Sequence, residues 1–366
     1  MDFGLSDEQR LLADSLAGFL EKELPTPRVR EIAATPSGHD AALWRALAAQ
    51  GASGVLVPEA FGGSGLSLLD AVVVAQALGF AAAPTPFLST AVMAPLALAS
   101  ASPVVAKQWL PRIATGDACF SVAANERWSR REGAGVREEG DRLSGKTLFA
   151  IDAPCADTFL VATDAGSLAL VPCDTEGLRV QPLSTLDRTR RVGELVFENA
   201  RPAAWIGARG GAGDTIERML DAGRIALAAD LLGCCDRALA MAVGYAKQRV
   251  QFGRAIATFQ AVKHLCAEMA AEIEPARSLL WYAAHAFDAS PAEAPLQSAL
   301  VKSHLSDVGR SVVRTATEVH GGIGFTDEHD LQLWYKRAHV DAQLLGGPEW
   351  LRERAARHQG WTGGGT

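Results

Sequence analysis

The stretch Tyr245-Ala-Lys-Gln-Arg-Val-Gln-Phe-Gly-Arg-Ala-Ile256 decides how the chain is read. Upstream of it, apolar residues fall at Ile225, Ala228, Leu232, Cys235, Leu239 and Ala242, in steps of three and four that trace one face of a long helix. Downstream, from Phe259, the period resumes at Val262, Cys266, Met269, Ile273, Ala276 and Leu280. Between the two, Gln251-Phe252-Gly253-Arg254 interrupts the pattern, and Gly253 stands where a helix C-terminus favours a residue free of the Cβ penalty. The spacing predicts two antiparallel helices that bury a common seam, the start of a bundle.

Working outward, 366 residues suit two or three domains of roughly 100–200 residues each, and 48% hydrophobic content is ample for packed cores. A net charge of -7 with no lysine–arginine block argues against nucleic acid as the main partner and leaves anionic small molecules open. The six cysteines, Cys119, Cys155, Cys173, Cys234, Cys235 and Cys266, form no CxxC pair and no metal-ligand spacing, so they read as reduced packing residues with no metal bound. The opening Met1-Asp-Phe-Gly-Leu-Ser has no basic region followed by an apolar core, and no apolar run reaches membrane-spanning length. A cytoplasmic protein without a membrane span is the expectation.

Towards the N-terminus the pattern is helical. Ser6 with Gln9 three residues on resembles a capping box, and Leu5, Leu12, Leu16, Phe19 and Leu20 make a stripe ended by Pro25. A further helix is expected from about His39 to Ala49, stopping at Gly51, and others over Ser67 to Gly79 and Ser89 to Leu98. Val55-Leu-Val-Pro-Glu-Ala-Phe-Gly-Gly-Ser-Gly65 reads as a structured loop. Near Gly116 the period changes: Thr158 to Thr163, Ser167 to Pro172, Leu178 to Pro182 and Glu194 to Glu198 are short strands, with Asp164-Ala-Gly166 as a turn. Gly207-Ala-Arg-Gly-Gly-Ala-Gly213 reads as a linker before helical patterning returns. The order is alpha, beta, alpha.

With these segments placed, the chain resembles the acyl-CoA dehydrogenase family over nearly its whole length. The matching stretches are Val57-Pro-Glu-Ala-Phe-Gly-Gly-Ser-Gly65, Leu143-Ser-Gly-Lys-Thr-Leu-Phe149 with Ala156-Asp-Thr-Phe-Leu-Val161, Arg249-Val-Gln-Phe-Gly253 with Phe259-Gln260, and His320-Gly-Gly-Ile-Gly-Phe-Thr326. A single glycine-rich loop is weak evidence, but four such stretches in the family's order are specific. The resemblance implies a mainly α protein with a β middle domain. Its parts would be an N-terminal helical domain (1–115), a small β-barrel or sandwich (116–206) and a C-terminal four-helix bundle (214–362), carrying FAD and assembled as an oligomer, usually a tetramer. The implied activity is α,β-desaturation of an acyl-CoA thioester, with electron-transfer flavoprotein as the expected acceptor.

The same resemblance implies that Arg249 pairs with the pyrophosphate of a neighbouring subunit's FAD while Gln251 and Phe252 contact its adenosine side. For an isolated arginine the blander reading is a solvated charge at a helix end, where positive residues are favoured anyway. Gly321 and Gly322 allow close backbone approach to the cofactor, Phe149 could cover the flavin ring, and Glu318 stands where the family more often has glutamine. A carboxylate near a pyrophosphate is unfavourable unless it points away.

Two features depart from the family pattern. The glutamate base that would take the thioester α-proton is absent: Leu345 or Gly346 stands at its usual location and Gly223, before Arg224, at its alternative one. Asp221 is the first acid to test, ahead of Glu217, Asp327, Glu328 and Glu349, each more often a solvated face or cap; His329 beside Glu328 and Asp330 reads as a surface residue without a role. In the middle domain, Ala123-Ala-Asn125 and Phe149-Ala-Ile151 replace hydroxyl-bearing motifs of the family, so the chain's own flavin contacts are weakened. What is kept is what would be lent to a neighbour. The expectation is therefore one subunit of a heteromeric dehydrogenase, with a homologous partner subunit in a heterotetramer. A homo-oligomer with an unconventional base and a non-catalytic scaffold are the alternatives.

Overall fold

Ser6 opens the first helix as a capping box requires: its Oγ accepts the Gln9 N–H at 3.2 Å and Gln9 Oε1 accepts the Ser6 N–H at 3.0 Å. The computed structural model describes residues 4–361. The expected domain limits at residues 1 and 362, and the Met1-Asp-Phe part of the N-terminal reading, lie outside the described residues. α1 (Asp7–Glu23) is followed by α2 (Thr26–Ala34), which the stripe ending at Pro25 does not predict. α3 (Ala41–Ala49) starts at Asp40, whose carboxylate accepts the Ala42 and Leu43 N–H groups. α4 (Leu68–Phe80) follows the glycine-rich loop, which is ordered by Ser64 N–H to Gly54 O and Leu66 N–H to Val55 O, both at 2.9 Å. The apolar run expected from Ser89 is a π-helical stretch, Leu88–Met93, that passes into α5 (Ala94–Leu98) ahead of α6 (Pro103–Ala114).

The strands are β1 (Phe120–Ala123), β2 (Gly135–Glu139), β3 (Arg142–Ile151), β4 (Thr158–Ala162), β5 (Leu168–Pro172), β6 (Leu178–Leu183), β7 (Val192–Ala200) and β8 (Ala204–Ile206). They form one sheet in the order β6-β7-β3-β1-β4-β5-β8, with β2 paired to β3. β1 and β4 run parallel and the other pairs antiparallel. Leu143, Phe159, Val161, Val171, Leu195 and Phe197 bury one core against it, each fully buried Leu or Phe contributing about 1.5–3 kcal/mol. β3 pairs with β7 through a register shift between Thr147 and Ala150, a β-bulge.

Helical structure returns at α7 (Gly213–Gln248) and continues through α8 (Gln260–Ala289), α9 (Ala294–His320), α10 (Leu331–Gln343) and α11 (Pro348–His358). The two long helices expected around Tyr245 are α7 and α8. The segment before α7 is not a free linker: Arg209 donates to Glu138 Oε2 at 2.7 Å and the Gly210 N–H to Ser167 Oγ at 2.7 Å, so its glycines shape a tethered turn.

Two compact units result. One comprises Met1–Val29, Val72–Ala83 and Ile225–Thr366, the other Arg30–Ala71 and Pro84–Arg224. In the first, Arg337 of α10 pairs with both oxygens of Asp230 on α7 at 2.7 Å, and the Trp334 indole N–H donates to the Gly79 and Phe80 carbonyls that end α4. Pairing both charges at once is what makes so buried an ion pair tolerable. No described helix is long and apolar enough to cross a membrane.

Candidate functional site

α7 stops at Gln248, and the chain makes a two-stranded ribbon in which β9 (Val250–Gln251) pairs with β10 (Arg254–Ala255). Phe252 and Gly253 form the turn, with φ of 52° and 75°. Both are positive, as a two-residue hairpin turn whose twist matches its strands demands, so Gly253 serves a hairpin tip and not the helix C-cap expected for it. The Ile256 N–H donates to Arg249 O at 2.8 Å and closes the base of the ribbon. At its tip Phe252 is 92% exposed, its ring edge-on to Phe259 at 6.1 Å, while the Arg254 guanidinium covers Phe259 at 4.3 Å. Arg249 and Gln251 are exposed, and Arg249 makes no ion pair among the described residues.

The end of α9 lies against the last turn of α7. His320 is buried, its Nδ1 lies 2.7 Å from Ala316 O, and its ring sits between Tyr245, stacked at 4.6 Å, and His329 at 4.7 Å. Tyr245 belongs to the last turn of α7, one turn before Arg249, so the three rings join the ends of α7 and α9. Tyr245 lies four residues before Arg249 and His320 directly before Gly321. Burial holds the His320 imidazole below its ordinary value, aided by His329. The neutral ring with Nδ1–H donating to Ala316 is the form that fits this stack. His329, expected at the surface, is half-buried over His320, and its Nδ1 accepts the Leu331 N–H at 3.2 Å.

Past His320 the chain turns sharply. Gly321 has φ 65° and ψ −144°, a region closed to residues with a Cβ, and a Cβ built on Gly321 or Gly322 would meet nothing within 4 Å. The turn is therefore open to a ligand and needs glycine for its shape. Glu318, one turn back, is drawn towards Arg314 at 3.3 Å, which offsets its charge.

Neither of the positions at which the base was expected carries a carboxylate. Gly223 is buried within α7. Leu345 is buried in the left-handed region at φ 57°, between α10 and α11, and a Cβ on Gly346 would come 2.9 Å from the Trp350 ring. Asp221 is 2% exposed and accepts from Arg224 Nη1 at 2.7 Å. Glu217 binds Arg127 at 3.0 Å and lies 3.8 Å from Arg224. Asp327 binds Lys336 at 2.7 Å, and the exposed Glu349 lies 3.7 Å from Arg352.

On β3, the Thr147–Ala150 bulge places Phe149 in the left-handed region at φ 55°, with the Arg131 guanidinium 5.0 Å from its ring centre. The polar groups beside it are already taken: Thr147 Oγ1 donates to Glu126 Oε2 at 2.7 Å and the Leu148 N–H to Glu126 Oε1 at 3.0 Å. The sequence reading missed Glu126, because nothing local links it to a bulge 21 residues away. The Tyr245, His320 and His329 stack was also missed, though Tyr245 and His320 each open a stretch that was singled out. For a flavin dinucleotide the two regions differ. The ribbon with the glycine turn offers an uncommitted guanidinium, an exposed ring and approachable backbone, which fit an anionic nucleotide; the β3 bulge offers no unsatisfied donor at Thr147 or Leu148 and an added negative charge.

Residues 6–117 match the family model described as acyl-CoA dehydrogenase, N-terminal domain, and residues 210–360 the one described as acyl-CoA dehydrogenase, C-terminal domain. Acyl-CoA dehydrogenase IpdE2 of Mycolicibacterium smegmatis is 34% identical over 96% of this chain and 99% of its own length. The crystal structure of the ChsE4-ChsE5 complex from Mycobacterium tuberculosis is 28% identical with a TM-score of 0.90, covering 100% of both chains. That of a steroid ACAD, Tcur3481-Tcur3483, is 30% identical with a TM-score of 0.87, over 97% of this chain and 98% of the other. The chain belongs to the acyl-CoA dehydrogenase family of FAD-dependent oxidoreductases.

Proposed function

We propose that this chain is one subunit of a heteromeric acyl-CoA dehydrogenase and lends part of an FAD site to a homologous partner that holds the catalytic base. The observation that carries the reading is the contrast between the uncommitted Arg249 with exposed Phe252 and the β3 donors closed by Glu126. FAD, where bound, supplies the hydride acceptor for α,β-desaturation of the thioester. Arg249 supplies a guanidinium for its pyrophosphate, Gln251 and Phe252 the adenosine contacts, and Gly321 and Gly322 a backbone without side chains in the way, with Glu318 neutralised by Arg314. Asp221 then anchors the buried Arg224 and is not the base. Residues 1–115, 116–206 and 214–362 are the three domains of that subunit, and electron-transfer flavoprotein is the acceptor. Likeness to the two-chain ChsE4-ChsE5 complex and to a protein described as a steroid ACAD favours a bulky acyl-CoA thioester.

Co-expression with a glutamate-bearing homologous subunit tests this. Arg249→Ala should leave the assembly intact by size-exclusion chromatography and weaken flavin retention about 10- to 100-fold, as expected for one charge-assisted contact of about 1.5–3 kcal/mol. A chain that purifies alone with one flavin per polypeptide, reduced by an acyl-CoA, would overturn the reading.

A further inference from the structure

Packing along α8 is uneven. Met269 and Ile273 are the buried residues between Gln260 and Glu274, whereas Ala276, Leu280, Ala283, Ala284, Ala286 and Phe287 are all buried in the half that follows. Beside the sparsely covered half, a groove of about 360 Å³ opens between α8 and α9. Ala271, Pro275 and Val308 give it an apolar wall, and Glu272, Asp307 and Ser311 line it with oxygens.

Those oxygens are not equally engaged. Asp307 accepts from Arg310 and from Arg352, each at 2.5 Å, and Arg352 also lies 3.7 Å from Glu349, so that cluster is neutral. Glu272 makes no ion pair among the described residues, and its Oε1 accepts the Ser311 hydroxyl at a long 3.4 Å. Glu268, one turn earlier on the same helix, is also exposed and makes no ion pair among the described residues. Two like charges thus stand at i and i+4, a spacing at which they repel and an added cation relieves them. Pro275 supplies a further acceptor: it has no N–H to give to the Ala271 carbonyl four residues back, and both residues line the groove.

We propose that this groove seats an arginine side chain of the homologous subunit that takes the ribbon. The guanidinium donates to Glu272 and to the Ala271 carbonyl, while its methylene stem lies along Ala271, Pro275 and Val308. Acceptors from two separate groups suit a five-donor fork better than the point charge of a lysine. The course of α8 identifies the chain that supplies it. The helix begins at Gln260, just after the ribbon ends at Ala255, and Glu272 lies about 18 Å further along its axis. That distance falls within a subunit contact of about 800 Å² on each side, so a partner that grips the ribbon reaches the groove. The inference rests on the lent-site reading and adds a contact that holds the subunits together without touching the cofactor.

Affinity of the full-length chain for a glutamate-bearing homologous subunit would be measured by analytical ultracentrifugation at about 0.15 M salt. Glu272→Arg sets two cations against each other and should weaken the complex at least about tenfold. Glu21→Arg, the same charge change at an exposed position of α1, should move it less than about twofold. Pro275→Ala returns an N–H to the Ala271 carbonyl, so the complex should weaken about threefold while the free chain melts at the same or a higher temperature. At partner concentrations that saturate each variant, flavin per complex should match the unsubstituted assembly, because Arg249 and Phe252 are intact. Full affinity in Glu272→Arg would overturn the groove contact and leave the lent site standing. Equal losses in Glu272→Arg and Glu21→Arg would overturn it too, as an effect of net charge alone. The lent-site reading fails on a different measurement, flavin kept in full by Arg249→Ala.

Discussion

The hairpin tip at Phe252 and the β3 bulge at Leu148 are both places where the backbone leaves its regular pattern, with Phe252 and Phe149 held at φ of 52° and 55°. At the tip the departure throws Phe252 outward, 92% exposed and touching only the edge of Phe259, and leaves Arg249 without an ion pair among the described residues. At the bulge it frees a backbone N–H that a carboxylate from elsewhere in the same unit then satisfies, together with the Thr147 hydroxyl. Irregular backbone alone therefore does not mark a binding site. What separates the two is whether the freed groups have already been satisfied by the chain itself.

Glu126→Ala gives the largest expected effect and tests the closed side. Thr147 is fully buried, so removing its acceptor strands a hydroxyl, and the substitution should destabilise the chain by about 1–3 kcal/mol in denaturant unfolding. Flavin retained by a complex with the proposed partner subunit should not change, since Glu126 makes none of the contacts proposed for the ribbon and the glycine turn. Unchanged stability would mean that water replaces the carboxylate and that the bulge is open after all.

The open side was the more legible in the sequence. Arg249, Phe252 and the glycine pair sit in short motifs, and the three-and-four spacing on either side placed α7 and α8. Gly253 was read as a helix end because phenylalanine before glycine is not the usual hairpin-turn pair; only the pairing of Gln251 with Arg254 makes it a turn. The four short strands singled out correspond to β4–β7, while β1, β2 and β8 have no alternation to announce them, β1 being buried along its whole length. Glu126 and the His320–His329 contact depend on tertiary placement, which no local period encodes.

Phe252→Ala should show the opposite profile to Glu126→Ala. A ring that is 92% exposed adds little to the fold, so unfolding free energy should move by less than about 0.5 kcal/mol. Flavin retention in the two-subunit complex should nonetheless fall, by less than for Arg249→Ala, because only stacking contact is lost. If stability and flavin fell together, the tip would be part of the core and the contrast with the bulge would fail.

The smallest effect concerns the pin that holds the open side together. His320 is a base whose folded value lies below the ordinary 6.5, because burial between Tyr245 and His329 disfavours its charge. Below about pH 6.5 the unfolded chain binds this proton and the folded chain resists it, so stability rises with pH across that window and is lost as pH falls through it. Thermal unfolding midpoints measured from pH 7 down to pH 5.5 should decline, and His320→Gln should flatten the slope even if its midpoint is lower throughout. Flavin retention should decline over the same interval, since charging His320 loosens the only aromatic stack among the described residues that joins Tyr245 to the glycine turn. Nuclear magnetic resonance of the His320 ring supplies the direct check: titration above 6.5 would show that the stack tolerates the cation, and the ribbon and the turn would then need another explanation for their alignment.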